Sequence, residues 1–560
     1  MTNYQFTGGT ICAPATIPGT GAISIIRVSG KESLAIADKV IDTKGVPIAE
    51  TEGYRLRYGT VFEADGSVLD NVIVSVFRAP HSYTGENSVE ISCHASRFIV
   101  NRILEFLVNA GARIAAPGEF TRRAFVNGKM DLAQAEAVAD VIASQSAASH
   151  RVAMNQLKGG FSSELKVLRE KLLTMTSLLE LELDFSEEDV EFASRKELGQ
   201  LVDDSLTHIR RLTASFSRGN AIKNGVPVAI VGATNTGKST LLNALLGEER
   251  AIVSDIAGTT RDTIEETLNI DGILFRFIDT AGIRETDETI EKIGIDRTFK
   301  KLGEAAVVLG MTDLSRGEAA VLEDADFILS KVNEMGGVKN DGTENDGSET
   351  GGASTAETGG ASPAETDGAS LAGTDETSLA ETGGASRHGH GDGQERKVVI
   401  LVNKCDVADD FYRDDNGTGD GSGNDLGENV TEIGGNKNVN HDNNIVSLIE
   451  NKYDSCKVIP ISAKTGKGLS TLTKTLGEIG SEITGSTDET LVTNVRHYEA
   501  LVRAASALER VRAGLHIATL PPDLIAQDLR EALYHLGEIV GEITTDETLG
   551  NIFRNFCIGK

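Results

Sequence analysis

Apolar positions along this chain change their spacing three times, and the changes divide it. Up to about residue 120, short runs such as AISIIRVSG (22–30), NVIVSVFRA (71–79) and SVEISCH (88–94) read as strands, and RFIVNRILEFLVNAG (97–111) reads as a helix. Together they predict a small α/β domain over 1–120. From about 121 the period becomes helical, with Leu165, Leu168, Leu172, Met175, Leu179 and Leu183 recurring at three and four residues. It returns after 488 in Leu491, Val495, Tyr498, Val502, Ala505 and Leu508, and again in DLIAQDLREALYHLGEIV behind Pro521 and Pro522. Each helical stretch has an apolar stripe to bury, so the expectation is one discontinuous helical domain made of 121–221 and 486–560. Residues 222–485 are then inserted into it.

Two stretches of the insert follow no period. Residues 349–386 repeat a small, polar, eight-residue unit (ETGGASTA, ETGGASPA, ETDGASLA, GTDETSLA, ETGGAS), and 409–444 are rich in Gly, Asn and Asp. Neither can bury enough apolar surface to offset the entropy of ordering, so both read as disordered insertions in surface loops, over 336–396 and 409–447. The tract RHGHGDG (387–393) reads as a solvated tail to the repeat rather than a metal site.

Charge modifies this picture only locally. The net charge is −30. The two insertions carry −9 and −7 of it, which leaves the remainder acidic but not extreme. An acidic balance weighs against unaided binding of a nucleic acid. Five scattered cysteines (Cys12, Cys93, Cys405, Cys456, Cys557), with no C-x-x-C spacing, argue against a disulfide framework and a zinc module. The first residues lack the features of a signal or transit peptide, and no apolar run approaches the roughly 20 residues that span a bilayer. A soluble cytoplasmic protein is the expectation.

The insert also carries the chemistry. PVAIVGATNTGKSTLLNALLG is a strand, a loop and a helix, with G-x-x-x-x-G-K-S from Gly232 to Ser239. In that context the backbone N–H groups from Asn235 through Thr236, Gly237, Lys238, Ser239 and Thr240 cradle phosphate oxygens. Lys238 reaches the β and γ phosphates, and Ser239 ligates Mg²⁺. DTAG follows as Asp279, Thr280, Ala281 and Gly282, where Asp279 holds the Mg²⁺ shell and the Gly282 N–H meets the γ-phosphate. NKCD comes next, with Asn403, Lys404 and Asp406, and then SAK, with Ser462, Ala463 and Lys464. The Asp406 carboxylate accepts from both the ring N–H and the amino group of guanine, an arrangement adenine does not offer, so the nucleotide is GTP. Between the P-loop and DTAG lies a loop of Ser254, Asp255, Ile256, Ala257, Gly258, Thr259 and Thr260, in which Thr260 suits a γ-phosphate-sensing Mg²⁺ ligand. The residue after DTAG is Ile283, which cannot polarise water, so another group must orient it. Arg284 reads as a surface residue rather than an arginine finger.

These motifs and both ends of the chain resemble the MnmE (TrmE) family of tRNA-modifying GTPases, which act on the wobble uridine. The specific marks are GTTRD (258–262), DTAGIRETDETIEKIGIDR, PGEFTRRAFVNGKMDLAQAEAVADVI (117–142) and the terminal CIGK. The resemblance implies a fold of three parts: an N-terminal α/β folate-binding and dimerisation domain, the helical domain, and a Ras-like P-loop GTPase domain with a mixed sheet flanked by helices. It further implies activation by K⁺ at a dimer of GTPase domains, the ion held by Asn235, Ser254, Ile256 and Thr259, with Glu291 orienting water. A 5-formyl- or 5,10-methylene-tetrahydrofolate carrier falls on Arg27, Glu90, Lys129 and Lys560, and Cys557 is a candidate nucleophile or acid/base. Implied partners are a second copy, the flavoprotein MnmG (GidA) and tRNA, with no membrane. Thr234 departs from the Pro usual in the family, and the two insertions flank the strand that ends in NKCD. The competing reading, from a different class, is a ribosome-assembly or signalling GTPase with a regulatory N-terminal module.

Overall fold

The structure is a computed structural model that describes residues 8–184, 195–249, 266–278, 303, 305–334, 396–406, 439–453, 456–485, 489–516, 521–554, 556 and 559. The eight-residue repeat and the 387–393 tract lie outside these residues. The chain divides into two compact units, one of Met1–Val226, Thr267–Arg276 and Thr473–Lys560, the other of Pro227–Glu266 and Phe277–Leu472.

The first unit begins with β1 (Ile11–Pro14), β2 (Ile23–Ser29), α1 (Ser33–Val40), β3 (Ile41–Asp42), β4 (Arg55–Phe62), β5 (Val68–Phe77), β6 (Ser88–His94), α2 (Arg97–Asn109) and β7 (Arg113–Ile114). The strands form one sheet in the order β3-β4-β5-β6-β2-β1-β7. In β2 the alternation turns Ile26 and Val28 into the core, both fully buried, and presents Arg27 on the opposite face. The antiparallel register then sets Arg27 directly across from Glu90 of β6. Position in a sheet thus brings together two charges 63 residues apart.

Helices follow: α3 (Glu119–Val126), α4 (Leu132–Ala143), α5 (Ala147–Leu157), α6 (Gly160–Asp184), α7 (Arg195–Ala214) and α8 (Phe216–Asn224). Asp131 caps α4 and Ser146 caps α5, each through a reciprocal capping box that satisfies otherwise unpaired N–H groups. The middle of the chain supplies β8 (Val226–Gly232), α9 (Lys238–Glu249), β9 (Glu266–Ile270), β10 (Ile273–Phe277), β11 (Val307–Asp313), α10 (Glu318–Glu334), β12 (Lys397–Asn403), α11 (Val439–Lys452), β13 (Lys457–Pro460) and α12 (Leu469–Thr484). The chain closes with α13 (Val495–Leu515), α14 (Pro522–Val540) and α15 (Asp546–Arg554).

The two helical stretches meet, but the buried face of α13 runs through Ala500, Leu501, Ala504, Leu508 and Val511 rather than through Val495, Val502 and Ala505, since Val502 is 39% exposed and the other two are only partly buried. Leu165, Leu168, Leu172, Met175 and Leu179 share one buried cluster with Leu501, Leu508, Leu529 and Leu536. A buried ion cluster crosses the same helices. Glu136 of α4 accepts from Arg496 Nε and Nη2, both at 3.0 Å, and lies 2.6 Å from His497 Nε2. Arg496 also donates to the carbonyls of Glu538 and Ile539 at the end of α14. Burial pushes the Glu136 carboxyl up, but His497 and Arg496 outweigh it and bring its pKa down to about 2. Burial lowers the His497 pKa despite Glu136. Both shifts run below the unfolded values, so their stabilisation is complete above the unfolded pKa and is lost on acidification. Removing one member strands the others in the interior. Glu136→Ala is therefore expected to destabilise this unit by about 3–5 kcal/mol at pH 7, and its stability should fall less steeply than wild type between pH 5 and 3. Denaturant melts across pH check both.

In the second unit the parallel strands run in the order β13-β12-β11-β8. Their near-continuous apolar sequences (VPVAIVG, VVLGMTD, KVVILVN) suit strands covered on both faces. Helix α11 begins at Val439, inside the stretch read from the sequence as the second low-complexity insertion. Its later turns explain the difference: Ile449 is fully buried and Val446 packs on the same core, an apolar face that the polar first turns hide.

Candidate nucleotide site and N-terminal pocket

The P-loop runs from the C-terminal end of β8 into α9, at the carboxyl ends of the parallel strands, where an open α/β sheet places its ligand site. Asn235 is left-handed at φ 61, and Gly237 has φ 99. A Cβ on Gly237 would stand 2.4 Å from Asn403 Nδ2, so the second motif glycine is required by the approach of NKCD. Thr236 is fully buried and donates to the Ala233 carbonyl at 2.9 Å. Lys238 Nζ donates to the carbonyls of Gly232 (3.0 Å) and Ala233 (2.7 Å), and burial lowers its pKa. The loop thus holds its own lysine ready at its mouth, and the α9 N-terminus begins there with its positive dipole end, an arrangement that fits a polyphosphate.

Asn403 joins three motifs. Its Nδ2 donates to the Thr236 carbonyl at 2.7 Å, and its Oδ1 accepts from the Ala463 N–H at 3.0 Å. One buried amide therefore ties the phosphate loop to the SAK loop. After Asn403, Lys404 turns left-handed at φ 65. That bend sends Cys405 into the interior, where its thiol donates to the Val402 carbonyl, and leaves Asp406 half-buried beyond it. Lys404 Nζ pairs with Asp313 of β11 at 2.6 Å. Ser462 is buried and accepts from the Thr465 N–H, closing the SAK turn. Lys464 is exposed at that turn. Ser239 and Thr240 stand in the first turn of α9.

In the first unit, Arg27 Nε and Nη2 reach Glu90 Oε1 at 2.9 and 2.8 Å. The guanidinium lies over Tyr83 (5.1 Å to the ring centroid) and Phe120 (5.6 Å). Its Nη1 is 3.5 Å from the Gly559 carbonyl. Gly559 is buried at φ 99, and a Cβ there would meet the Pro14 carbonyl oxygen at 2.0 Å, so no larger residue fits beside β1. Lys129 donates to the Pro80 carbonyl at 3.1 Å, on the loop that carries Tyr83. Behind the pocket, Arg123 and Arg113 enclose Glu119, while Glu86 joins Arg123 and Ser29. Burial raises the Glu119 pKa, and the two arginines and the Ala116 N–H reverse it, so the carboxylate stays charged.

Arg27, Glu90 and Gly559 meet, then, as do Thr236 of the P-loop, Asn403 and Ala463 through the Asn403 amide. Ser254, Asp255, Ile256, Ala257, Gly258, Thr259, Thr260, Asp279, Thr280, Ala281, Gly282, Glu291, Cys557 and Lys560 lie outside the described residues. Sequence reasoning missed Tyr83 and Phe120, over which the Arg27 guanidinium lies, and Asp313, the partner of Lys404. Phe120 stands within the 117–142 stretch but as a buried residue of α3, whereas Tyr83 and Asp313 stand in no motif and acquire their places only through loop packing and sheet register.

Two family models match the chain: one described as GTP-binding protein TrmE N-terminus over residues 10–129, and one described as MnmE helical domain over 132–557. Among curated proteins, the tRNA modification GTPase MnmE of Parabacteroides distasonis is 44% identical over 554 residues, covering 98% of this chain and 100% of that protein. Those of Bacteroides thetaiotaomicron (43%, covering 98% and 99%) and Porphyromonas gingivalis (42%, covering 100% and 99%) are similar over the same extent.

Proposed function

The chain belongs to the MnmE (TrmE) family of tRNA modification GTPases, and on that premise we propose that it couples GTP hydrolysis to modification of the tRNA wobble uridine. In this reading it works with an MnmG (GidA)-type flavoprotein to place an aminomethyl or carboxymethylaminomethyl group on C5, with a tetrahydrofolate as carbon source. The observation that carries the reading is the presence, in one chain, of the P-loop, NKCD and SAK geometry and of a second polar cluster in which Arg27 pairs with Glu90 and reaches the Gly559 carbonyl. A GTPase that only switches has no use for that second cluster.

Three domain roles follow: residues 1–120 bind folate and dimerise, 121–221 with 486–560 form the helical domain, and 222–485 bind GTP. In the proposed folate site, Glu90 suits the N–H edge of a pterin, Arg27 and Lys129 suit carboxylates, and Tyr83 flanks the Arg27 guanidinium. Lys560 is assigned to the same carrier. In the GTP site, Ser239 and Thr260 hold Mg²⁺, which neutralises phosphate charge when bound. Asn235, left-handed at φ 61, would hold K⁺ together with Ser254, Ile256 and Thr259, the ion supplying positive charge against the phosphates, and Glu291 would orient the water. A homodimer is supported by the outer face of β4 and β5, where Leu56 (68% exposed), Tyr58 (67%) and Ile73 (48%) stand together, Tyr58 and Ile73 as cross-strand partners. Among the described residues no helix is long and apolar enough to cross a membrane. The cytoplasm, where tRNA is modified, is the proposed location.

The test is made on tRNA. A strain lacking the chain should accumulate tRNA with unmodified wobble uridine, measured by mass spectrometry of nucleosides, and the wild-type chain should restore it. The Cys557→Ser variant should hydrolyse GTP at the wild-type rate yet restore nothing. Normal modification in the deletion strain would sink the function, and full restoration by Cys557→Ser would remove the cysteine from the chemistry.

A further inference from the structure

We propose that Asp313 is a positioning residue for guanine nucleotide binding, anchoring Lys404 so that the lysine stem covers the base position beside Asp406. The proposal rests on the reading of this chain as a GTPase, and it adds a residue that stands in none of the nucleotide motifs.

Asp313 ends β11, and the parallel register sets it directly beside Asn403, the last residue of β12. Its side chain is 6% exposed. Oδ1 accepts from the Ser315 N–H at 3.0 Å and from Ser315 Oγ at 2.6 Å. Oδ2 takes Lys404 Nζ at 2.6 Å. The carboxylate is thus fixed on one side by its own turn and holds the lysine with the other. Lys404 is a non-glycine residue at φ 65, a conformation that costs free energy and persists only where the surroundings impose it. A surface lysine with no task would not need a buried acid and a strained backbone to place it.

The location says what the task is. Asn403 is bound to the P-loop through Thr236 and to the base loop through Ala463, so the next residue stands between the phosphate end and Asp406. Four methylenes can lie along a flat apolar surface while the ammonium seeks an acceptor at its edge. Asp313 is that acceptor. With it, the stem is held extended before nucleotide arrives, and less side-chain entropy is lost on binding. Burial pushes the Asp313 carboxyl up, and the bonds from Lys404 and Ser315 bring it below the usual range, so the anchor is charged at neutral pH.

Asp313→Asn in the full-length protein keeps the shape and the Ser315 bonds and removes the charge that holds Lys404. The Kd for fluorescent GDP should rise about tenfold through faster release, with kcat at saturating GTP within about twofold of wild type. A fold defect would lower binding and kcat together, so the split matters. If Asp313 acts through Lys404, Asp313→Asn should add less than about twofold once Lys404→Met is present. Wild-type GDP affinity in Asp313→Asn, or effects that multiply in the double variant, would overturn the proposal. Should Asp313→Asn not fold, Ser315→Ala loosens the same carboxylate and should raise the GDP Kd about threefold; an unchanged Kd there would overturn it equally. Failure of the wild-type chain to bind GDP would instead count against the GTPase reading itself.

Discussion

Asp406→Asn is expected to lower kcat/KM for GTP by about four orders of magnitude and to create hydrolysis of xanthosine triphosphate that the wild type lacks. A carboxylate there accepts two hydrogen bonds from guanine, one from the ring N–H and one from the exocyclic amino group. An amide can accept only one and points its NH₂ at the other donor, leaving two buried N–H groups face to face. Xanthine carries a carbonyl at that position, so the same amide meets it correctly. The framework that aims residue 406 is unchanged by the substitution, because the left-handed bend at Lys404, the inward Cys405 and the Asn403 amide bonds do not involve it. Steady-state assays with the two triphosphates decide the matter, and equal use of GTP by variant and wild type would refute the assignment of Asp406 to the base.

Arg27→Ala is the second large effect, and it falls on a different ligand. In wild type the guanidinium holds Glu90 across the sheet, lies over Tyr83 and Phe120, and reaches the Gly559 carbonyl. Its loss leaves Glu90 unneutralised beside a ligand that brings carboxylates of its own. The Kd for 5-formyl-tetrahydrofolate should rise about a hundredfold, the scale of losing one or two charge-assisted hydrogen bonds in a partly buried site. GTP turnover should stay within about twofold, and restoration of modified tRNA should fail. Calorimetric titration reads the first effect. Unchanged folate affinity would show that the pocket serves something else.

What could be read from the sequence was whatever is local. The P-loop occupies eight consecutive residues, and its strand-to-helix context is visible beside it, so the strand, loop and helix and the place of Lys238 among them were legible without a structure. Helices α13 and α14 were legible because their buried residues repeat at three and four. Strand β4 was harder: Arg55 and Arg57 alternate with exposed Leu56 and Tyr58, and its buried part is the run Gly59, Thr60 and Val61, which mimics neither a strand nor a helix period. Arg27 and Glu90 could be named only through family resemblance, since nothing near either one announces a cross-strand pair. Asp313 was not legible at all. It lies 91 residues from Lys404, and only the parallel register makes them neighbours.

The helical core also bears on how the protein is made. Its Glu136 meets His497 only after 361 further residues have been synthesised, and Gln156 waits 335 for the Leu491 carbonyl. At roughly 5–20 residues per second on the ribosome, that interval is about 20 to 70 s. For most of it the stripe of Leu165, Leu168, Leu172 and Met175 has only α7, of the later helices that share its core, to pack against. Exposed apolar surface of this kind is what makes incompletely folded chains prone to aggregate, and in this fold it persists until α13 and α14 emerge.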